Sequence, residues 1–341
     1  MHRKHFLSSL LPAALTLSSL KYRESQTSFE RHGPVKIPPY LKSEDTIGIT
    51  CPAGFITLEE IQPAVQLMQS WGFKIETGKT VDKRSFTLGG TDEERTADLQ
   101  DMLDNPNIKA IMCARGGYGA VRIIDALDFH QFKSSPKWVI GFSDITVLHN
   151  HINRNYHIAT LHSKMCNSFP LDWNLAEPIQ TETIESIKKA LMGEEMVYTS
   201  PASEFNRFGK VKGELVGGNL NLIASLAGSK SDIQTKNKIL FLEDTGEYLY
   251  NIDRMFYNLK RSGKLEHLRG LLIGGFKLKP DEPNEEFGKT ISEIVLEKVK
   301  EYNYPLCFDF PVGHQKNNFA LKCGVKHELD VGEIGGRLVS V

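Results

Sequence analysis

Cysteine is sparse: Cys51, Cys113, Cys166, Cys307 and Cys323 make five in 341 residues, an odd number with no close pair. That spacing excludes a disulfide framework and the paired-cysteine pattern of a zinc site. Cys51, Cys113 and Cys307 stand in or at the ends of apolar runs and are expected to be small buried hydrophobes. Charge of one sign is also lacking. Lys and Arg number 41 against 42 Asp and Glu, a formal net charge of −1, so no electrostatic footprint for nucleic acid is present. After the first twenty residues no apolar run is long enough to cross a bilayer. With 40% hydrophobic residues and a mean hydropathy of −0.29, the chain still has material for real cores.

Cofactor signatures are missing as well. His149-Asn-His151 is a weak metal pair, because i and i+2 diverge on the helix expected there, and no metal is expected. The loop Gly117-Tyr-Gly119 would need a third glycine at 122 to be a dinucleotide fingerprint, and Arg122 stands there. No acidic residue follows at the spacing that would hold a ribose, since Asp144 lies inside a different turn. No cofactor is therefore expected.

The first twenty residues differ from the rest. His2-Arg-Lys-His5 precedes an uncharged stretch, residues 6–20, rich in Leu, Ser and Ala. This resembles a secretory leader, and Arg3-Lys4 a loose twin-arginine signal, so export is expected, with a cytoplasmic protein carrying an N-terminal tail as the alternative. Pro12 interrupts the run and no clear Ala-x-Ala site follows it. Residues 22–42, with Pro34, Pro38 and Pro39, read as a linker without a core of its own.

What is present begins with alternation. Strands near 47–51, 73–77, 108–113 and 138–142 alternate with helices near 58–71, 92–104, 118–127 and 144–153, which predicts a parallel sheet covered by helices. Thr91-Asp-Glu-Glu94 gives the second helix a capping box. The expected class is α/β, with a flavodoxin- or Rossmann-like N-terminal domain and a smaller mixed, strand-rich C-terminal domain. The expected divisions are a leader and linker over 1–43, an N-terminal domain over 44–165, a connection over 166–205 with a helix near 180–192, and a C-terminal domain over 206–341. The last carries short strands near 213–217 and 271–275 and a helix with Ile252, Met255, Phe256 and Leu259 on one face. Arg254 on that helix faces either solvent or the cleft.

Chemistry enters at Lys137-Trp-Val-Ile-Gly-Phe-Ser143-Asp-Ile-Thr, which reads as strand, sharp turn, helix. A serine on such a turn is pushed out of the sheet edge, and the next backbone N–H sits at a helix N-terminus, where it stabilises negative charge. That is a nucleophile's position; the competing reading is that Ser143 only caps the helix. Upstream, Ile108-Lys-Ala-Ile-Met-Cys-Ala114 runs into Arg115-Gly-Gly117-Tyr-Gly119, a glycine-rich turn whose N–H groups are free to meet an anion. Both loops end strands, where ligands collect in an open parallel sheet. A serine nucleophile needs a base and an orienting acid. Glu243 ends one apolar strand and His314 follows another, in the chain order Ser, acid, His. Asp244 and Glu247 compete with Glu243, and His162 competes with His314.

Six ordered stretches resemble the LD-carboxypeptidase family, which also contains the microcin C immunity proteins. They are Asp45-Thr-Ile-Gly-Ile-Thr-Cys-Pro-Ala53, Ala114-Arg-Gly-Gly-Tyr-Gly119, Gly141-Phe-Ser-Asp-Ile-Thr146, Gly217-Gly-Asn-Leu220, Leu242-Glu-Asp244 with Glu247 and Arg254, and Gly313-His314. The resemblance implies a serine peptidase with Ser143 as nucleophile, Glu243 as orienting acid and His314 as base. It also implies an oxyanion hole of the Gly117 and Asp144 backbone N–H groups. The implied substrate is a peptidoglycan-derived tetrapeptide, cleaved between an L-configured lysine or diaminopimelate and a terminal D-alanine. The implied active site lies between the domains, and a homodimer is suggested. Arg115 is the candidate for the terminal carboxylate, with Tyr118 beside it; an ion pair is the other role open to Arg115. Two alternatives use the same chain: a microcin-type hydrolase of a nucleotide amide, and a non-catalytic module that binds wall peptides.

Overall fold

The structure, a computed structural model, describes residues 33–341. The expected leader therefore lies outside the described residues. Thr57 and Thr91 each cap a helix reciprocally with a glutamate three residues on, Glu60 and Glu94, so α1 (Leu58–Ser70) and α2 (Asp92–Asp104) begin where local chemistry dictates. With α3 (Ala120–Ile123), α4 (His130–Ser134) and α5 (Thr146–Tyr156) they cover the strands β1 (Thr46–Thr50), β2 (Lys74–Thr77), β3 (Ile108–Cys113), β4 (Trp138–Gly141) and β5 (Thr160–His162). Next, α6 (Pro178–Met192) starts on a proline at its first position and stops at Gly193 in the left-handed conformation, two local signals of helix ends.

The second half supplies β6 (Val197–Ser200), β7 (Gly209–Asn219), α7 (Leu220–Ser225), β8 (Ile239–Glu247), α8 (Leu249–Arg261), β9 (Gly270–Leu278), α9 (Ile291–Val299) and β10 (Leu306–Cys307). The chain ends in β11 (Leu321–Cys323), β12 (Lys326–Gly332) and β13 (Gly335–Ser340). The α8 residues buried are Ile252, Met255, Phe256 and Leu259, the face expected from its periodicity.

Two sheets result. The first has the order β11-β5-β4-β3-β1-β2, parallel except for β11, which pairs antiparallel with β5. The second has the order β10-β9-β8-β7-β12-β13-β6, parallel from β7 to β10 and antiparallel beyond. Strand β11 thus comes from the C-terminal segment but completes the N-terminal sheet. One apolar cluster runs from Ile47, Met112 and Leu161 under the first sheet to Phe241, Leu272 and Leu329 under the second.

Three expectations need correction. The helix expected over 118–127 is a single turn, α3, continued by a short 3-10 stretch at Ile124–Ala126. The chain then bends at Asp128, whose N–H donates to Gln100 and whose carboxylate accepts from the His130 N–H. The strand expected over 213–217 extends through β7, because Lys210 and Lys212 pair across the ladder with Glu328. Residues 34–42, expected as linker, are strapped to the first sheet. There Lys36 bonds to His157 and Ala159, Leu41 is buried, and Tyr40 stacks on Trp138 at 5.9 Å.

Candidate active site

Strand β4 ends at Gly141, where a Cβ would lie 2.9 Å from Ile145 Cγ1, so only glycine lets the chain turn this tightly into α5. Two residues on, Ser143 has φ +61°, a left-handed backbone that a side-chain-bearing residue seldom adopts. Its hydroxyl caps neither the 3-10 turn Ser143–Ile145 nor α5, so the capping role is not taken. The buried Asp144 carboxylate instead accepts from the Ala120 N–H at 2.8 Å and ties this turn to the glycine-rich loop after β3. Burial pushes the Asp144 carboxyl up to about 6, against the opposing Ala120 hydrogen bond and the Arg95 charge.

The glycine-rich loop lies directly beside the serine. A Cβ on Gly116 would be 3.3 Å from Ser143 Cβ, and the Gly116 carbonyl accepts from the Gly54 N–H at 2.9 Å. Gly117 has φ +101°. Among the described residues, no acceptor takes the backbone N–H of Gly117 or of Asp144. Arg95, fully buried, anchors the loop by donating to the Pro52 and Gly119 carbonyls and to Asp92.

From the second sheet, Glu243 on β8 is wholly buried and accepts from His314 Nδ1 at 2.5 Å. Gly313, with φ +101°, brings the histidine to the acid, and its N–H donates to Asn318 at 2.8 Å. The His314 ring lies 4.9 Å from that of Phe142, the neighbour of Ser143. Side chains from both sheets therefore meet at one point. No hydrogen bond joins Ser143 Oγ to His314 among the described residues.

The competing groups go elsewhere. Asp244 accepts from Asn219 and from the Asn221 N–H, holding the β7–α7 turn, and Glu247 accepts from Asn221 and Asn251. His162 is fully buried between Phe142 and Phe241, and burial holds its pKa well below the ordinary value. His149 and His151 face different partners, the Gly141 carbonyl and the Ser231 hydroxyl. Arg254 is exposed, bonded to Asn251 beside a hollow of about 350 Å³ away from His314. All five cysteines are free and buried. Among the described residues no helix is long and apolar enough to cross a membrane.

A cavity of about 700 Å³ opens beside His314, lined by Phe142, Lys164, Phe169, Gln180, Thr245 and Lys277 among others. Its lining includes three lysines, the third being Lys316, and no carboxylate. Arg115 and Tyr118 are not in this lining. Arg115 is exposed and donates to the Phe55 carbonyl at 3.1 Å, and Tyr118 is 56% exposed. Sequence spacing alone does not single out Lys164. The signal was there, since it stands just past the carboxyl end of β5, where loops of a parallel sheet gather around a ligand.

Two family models match this chain, the LD-carboxypeptidase N-terminal domain over residues 47–163 and the LD-carboxypeptidase C-terminal domain over residues 212–329. The chain belongs to the LD-carboxypeptidase family and is a hydrolase of the serine peptidase class. It is 33% identical over 298 residues to a probable murein peptide carboxypeptidase of Bacillus subtilis, covering 87% of this chain and 92% of that one. The Microcin C7 self-immunity protein MccF of Escherichia coli is 26% identical over 315 residues, 84% of this chain and 90% of the relative. A crystal structure of muramoyltetrapeptide carboxypeptidase from Oxalobacter formigenes superposes with a TM-score of 0.77 at 25% identity, over 86% of this chain and 98% of that one.

Proposed function

We propose that the protein is a serine carboxypeptidase that hydrolyses the bond between the L-configured third residue and the terminal D-alanine of murein tetrapeptides. The observation that carries this reading is the Glu243–His314 hydrogen bond, presented by the second sheet against the strained Ser143 turn of the first. In the proposed reaction Ser143 Oγ attacks the scissile carbonyl while His314 takes its proton. Glu243 fixes the imidazole tautomer through Nδ1 and offsets the imidazolium charge. The Gly117 and Asp144 N–H groups receive the oxyanion, each worth about 3 kcal/mol in comparable sites. His314 then gives its proton to the leaving D-alanine amine; water, deprotonated by His314, attacks the acyl carbonyl carbon, and the C–Oγ bond breaks as His314 returns the proton to Ser143 Oγ. The contact between Ser143 Oγ and His314 forms with substrate in the cleft, as catalytic hydrogen bonds tighten in Michaelis complexes.

The nucleotide-amide reading has less support. The aromatic residues of the cavity lining, Phe142 and Phe169, are 7% and 6% exposed, so neither offers a free face to a stacked base. The test is mass spectrometry of the wild type and of Ser143→Ala incubated with a muropeptide tetrapeptide ending in D-alanine. Release of D-alanine by the wild type alone is the expected result. No release by either moves the assignment to a nucleotide amide or to a binding role, and equal release removes Ser143 from the mechanism.

A further inference from the structure

A carboxypeptidase differs from an endopeptidase in needing something to hold a free carboxylate one residue beyond the scissile bond. The three bonds from the scissile carbonyl carbon through N and Cα keep the D-alanine carboxylate carbon within about 4 Å. A cation that holds it must therefore sit beside both nucleophile and base.

Lys164 lines the same cavity as His314 and touches the sequence neighbours of both groups. Its Nζ donates to the Gln315 carbonyl at 2.7 Å, next in sequence to His314, and lies 5.6 Å from the ring of Phe142, next in sequence to Ser143. An ammonium has three donors, and Gln315 takes one. Among the described residues no carboxylate is within ion-pair distance of it, although Glu243 lies near enough to favour its charge. The other lysines of the lining are placed differently: Lys316 is held by Glu177 at 2.7 and 2.8 Å, and Lys277 is exposed. Of the internal lysines elsewhere, Lys264 and Lys298 are paired with Asp232 and Asp253 and Lys137 is held by two carbonyls at the end of α2, while Lys322, which donates to the Glu194 carbonyl over the Tyr40 ring, also lacks a carboxylate but does not line the cavity. Burial lowers the Lys164 pKa, the signature of a cation whose hydration is not replaced in full by protein groups.

We propose that Lys164 binds the free C-terminal carboxylate of the substrate and so makes this site a carboxypeptidase. The assignment rests on the wall-peptide reading given above and replaces Arg115 in that role.

The experiment uses the full chain with Ser143→Ala, which removes turnover and leaves binding to be measured by calorimetry. Two probes are titrated, a murein tetrapeptide ending in D-alanine and the same peptide with a C-terminal carboxamide. The acid is expected to bind about tenfold or more tightly than the amide, the range of one hydrogen bond between charged groups. Adding Lys164→Met is expected to erase that preference by weakening the acid alone, and Lys164→Arg to restore part of it. A preference that survives Lys164→Met, or a loss equal for acid and amide, overturns the proposal. Lys164→Gln, a shorter neutral side chain that retains an N–H donor, gives the same comparison if Lys164→Met does not fold. A Ser143→Ala protein that binds acid and amide equally overturns the role of Lys164 alone, whereas one that binds neither overturns the substrate reading as well.

Discussion

Gly313 has two reasons to be glycine. Its backbone is left-handed, and a Cβ there would lie 2.3 Å from Glu243 Cβ. Gly313→Ala should therefore drive Glu243 and His314 apart, since neither backbone nor a buried acid can yield cheaply. A fall in kcat of about a hundredfold is expected, with about 1–3 kcal/mol lost in urea unfolding from overpacking and strain. Glu243→Gln probes the same contact without adding atoms. The amide offers the imidazole Nδ1 a donor or an acceptor, and the wrong tautomer becomes accessible. In a comparable triad the acid-to-amide exchange lowers kcat by about ten-thousandfold. The same loss at nearly constant KM is expected here; a Glu243→Gln enzyme with wild-type kcat would remove Glu243 from the mechanism.

At the scale of elements, the loop between β3 and α3 is positioned from outside itself. Arg95 on α2 holds the carbonyls of Pro52 and Gly119, and Arg122 grips the same Asp92 that pairs with Arg95. Replacing Arg95 with Met leaves the Pro52 carbonyl without a donor and the Gly119 carbonyl with only the Arg122 N–H, a cost of about 2 kcal/mol or more. The Gly117 amide would also lose its fixed aim, so kcat should fall further than KM rises. A variant that is destabilised but keeps full kcat would show that the loop holds its shape without the guanidinium.

Elements of this kind were legible in the sequence to the extent that their signals are local. The limits of α2 follow from Thr91 and Glu94, and the buried face of α8 from spacing alone. Ser143, Glu243 and His314 each stand at the end of an apolar run, which is why each could be singled out. Long-range partners were not visible. The length of β7 depends on Glu328, more than a hundred residues away, and the three-residue β11 exists only because β5 offers an open edge. Lys164 is not legible for the same reason, because a lysine after a strand reads as a surface residue until Gln315 is folded against it.

At the scale of the molecule, the two sheets do not own separate interiors. Their shared apolar cluster and the crossing of β11 mean that residues 34–165 alone would expose the edge of β5 together with Ala159 and Leu161. That fragment is expected to lack a cooperative unfolding transition and to release no D-alanine. A fragment with full hydrolytic activity would contradict a site assembled from both halves.

Acid sensitivity is a second property of the whole. His149, His162 and His327 are buried and neutral, with burial lowering the first and last to about 4 and His162 well below its usual value. In the unfolded chain each imidazole titrates near 6.5. Below that pH the unfolded state takes up protons that the folded state refuses, so their contribution is present above 6.5 and is lost as pH falls. Two carboxyls oppose this: burial raises Asp144 to about 6 and Asp244 to about 7, so the folded state holds protons that the unfolded state has released. These three imidazoles against two carboxyls leave a net of about one proton near pH 5.5, on the order of 1.4 kcal/mol lost per pH unit, and His151, also lowered by burial, adds in the same direction. Urea midpoints are expected to fall from pH 6.5 to 5, more steeply in Asp144→Asn, which keeps an acceptor for the Ala120 N–H but no longer takes up a proton. A flat midpoint over that window would mean that water or a counter-charge reaches these imidazoles, and that the core beneath Ser143 is wetter than its packing implies.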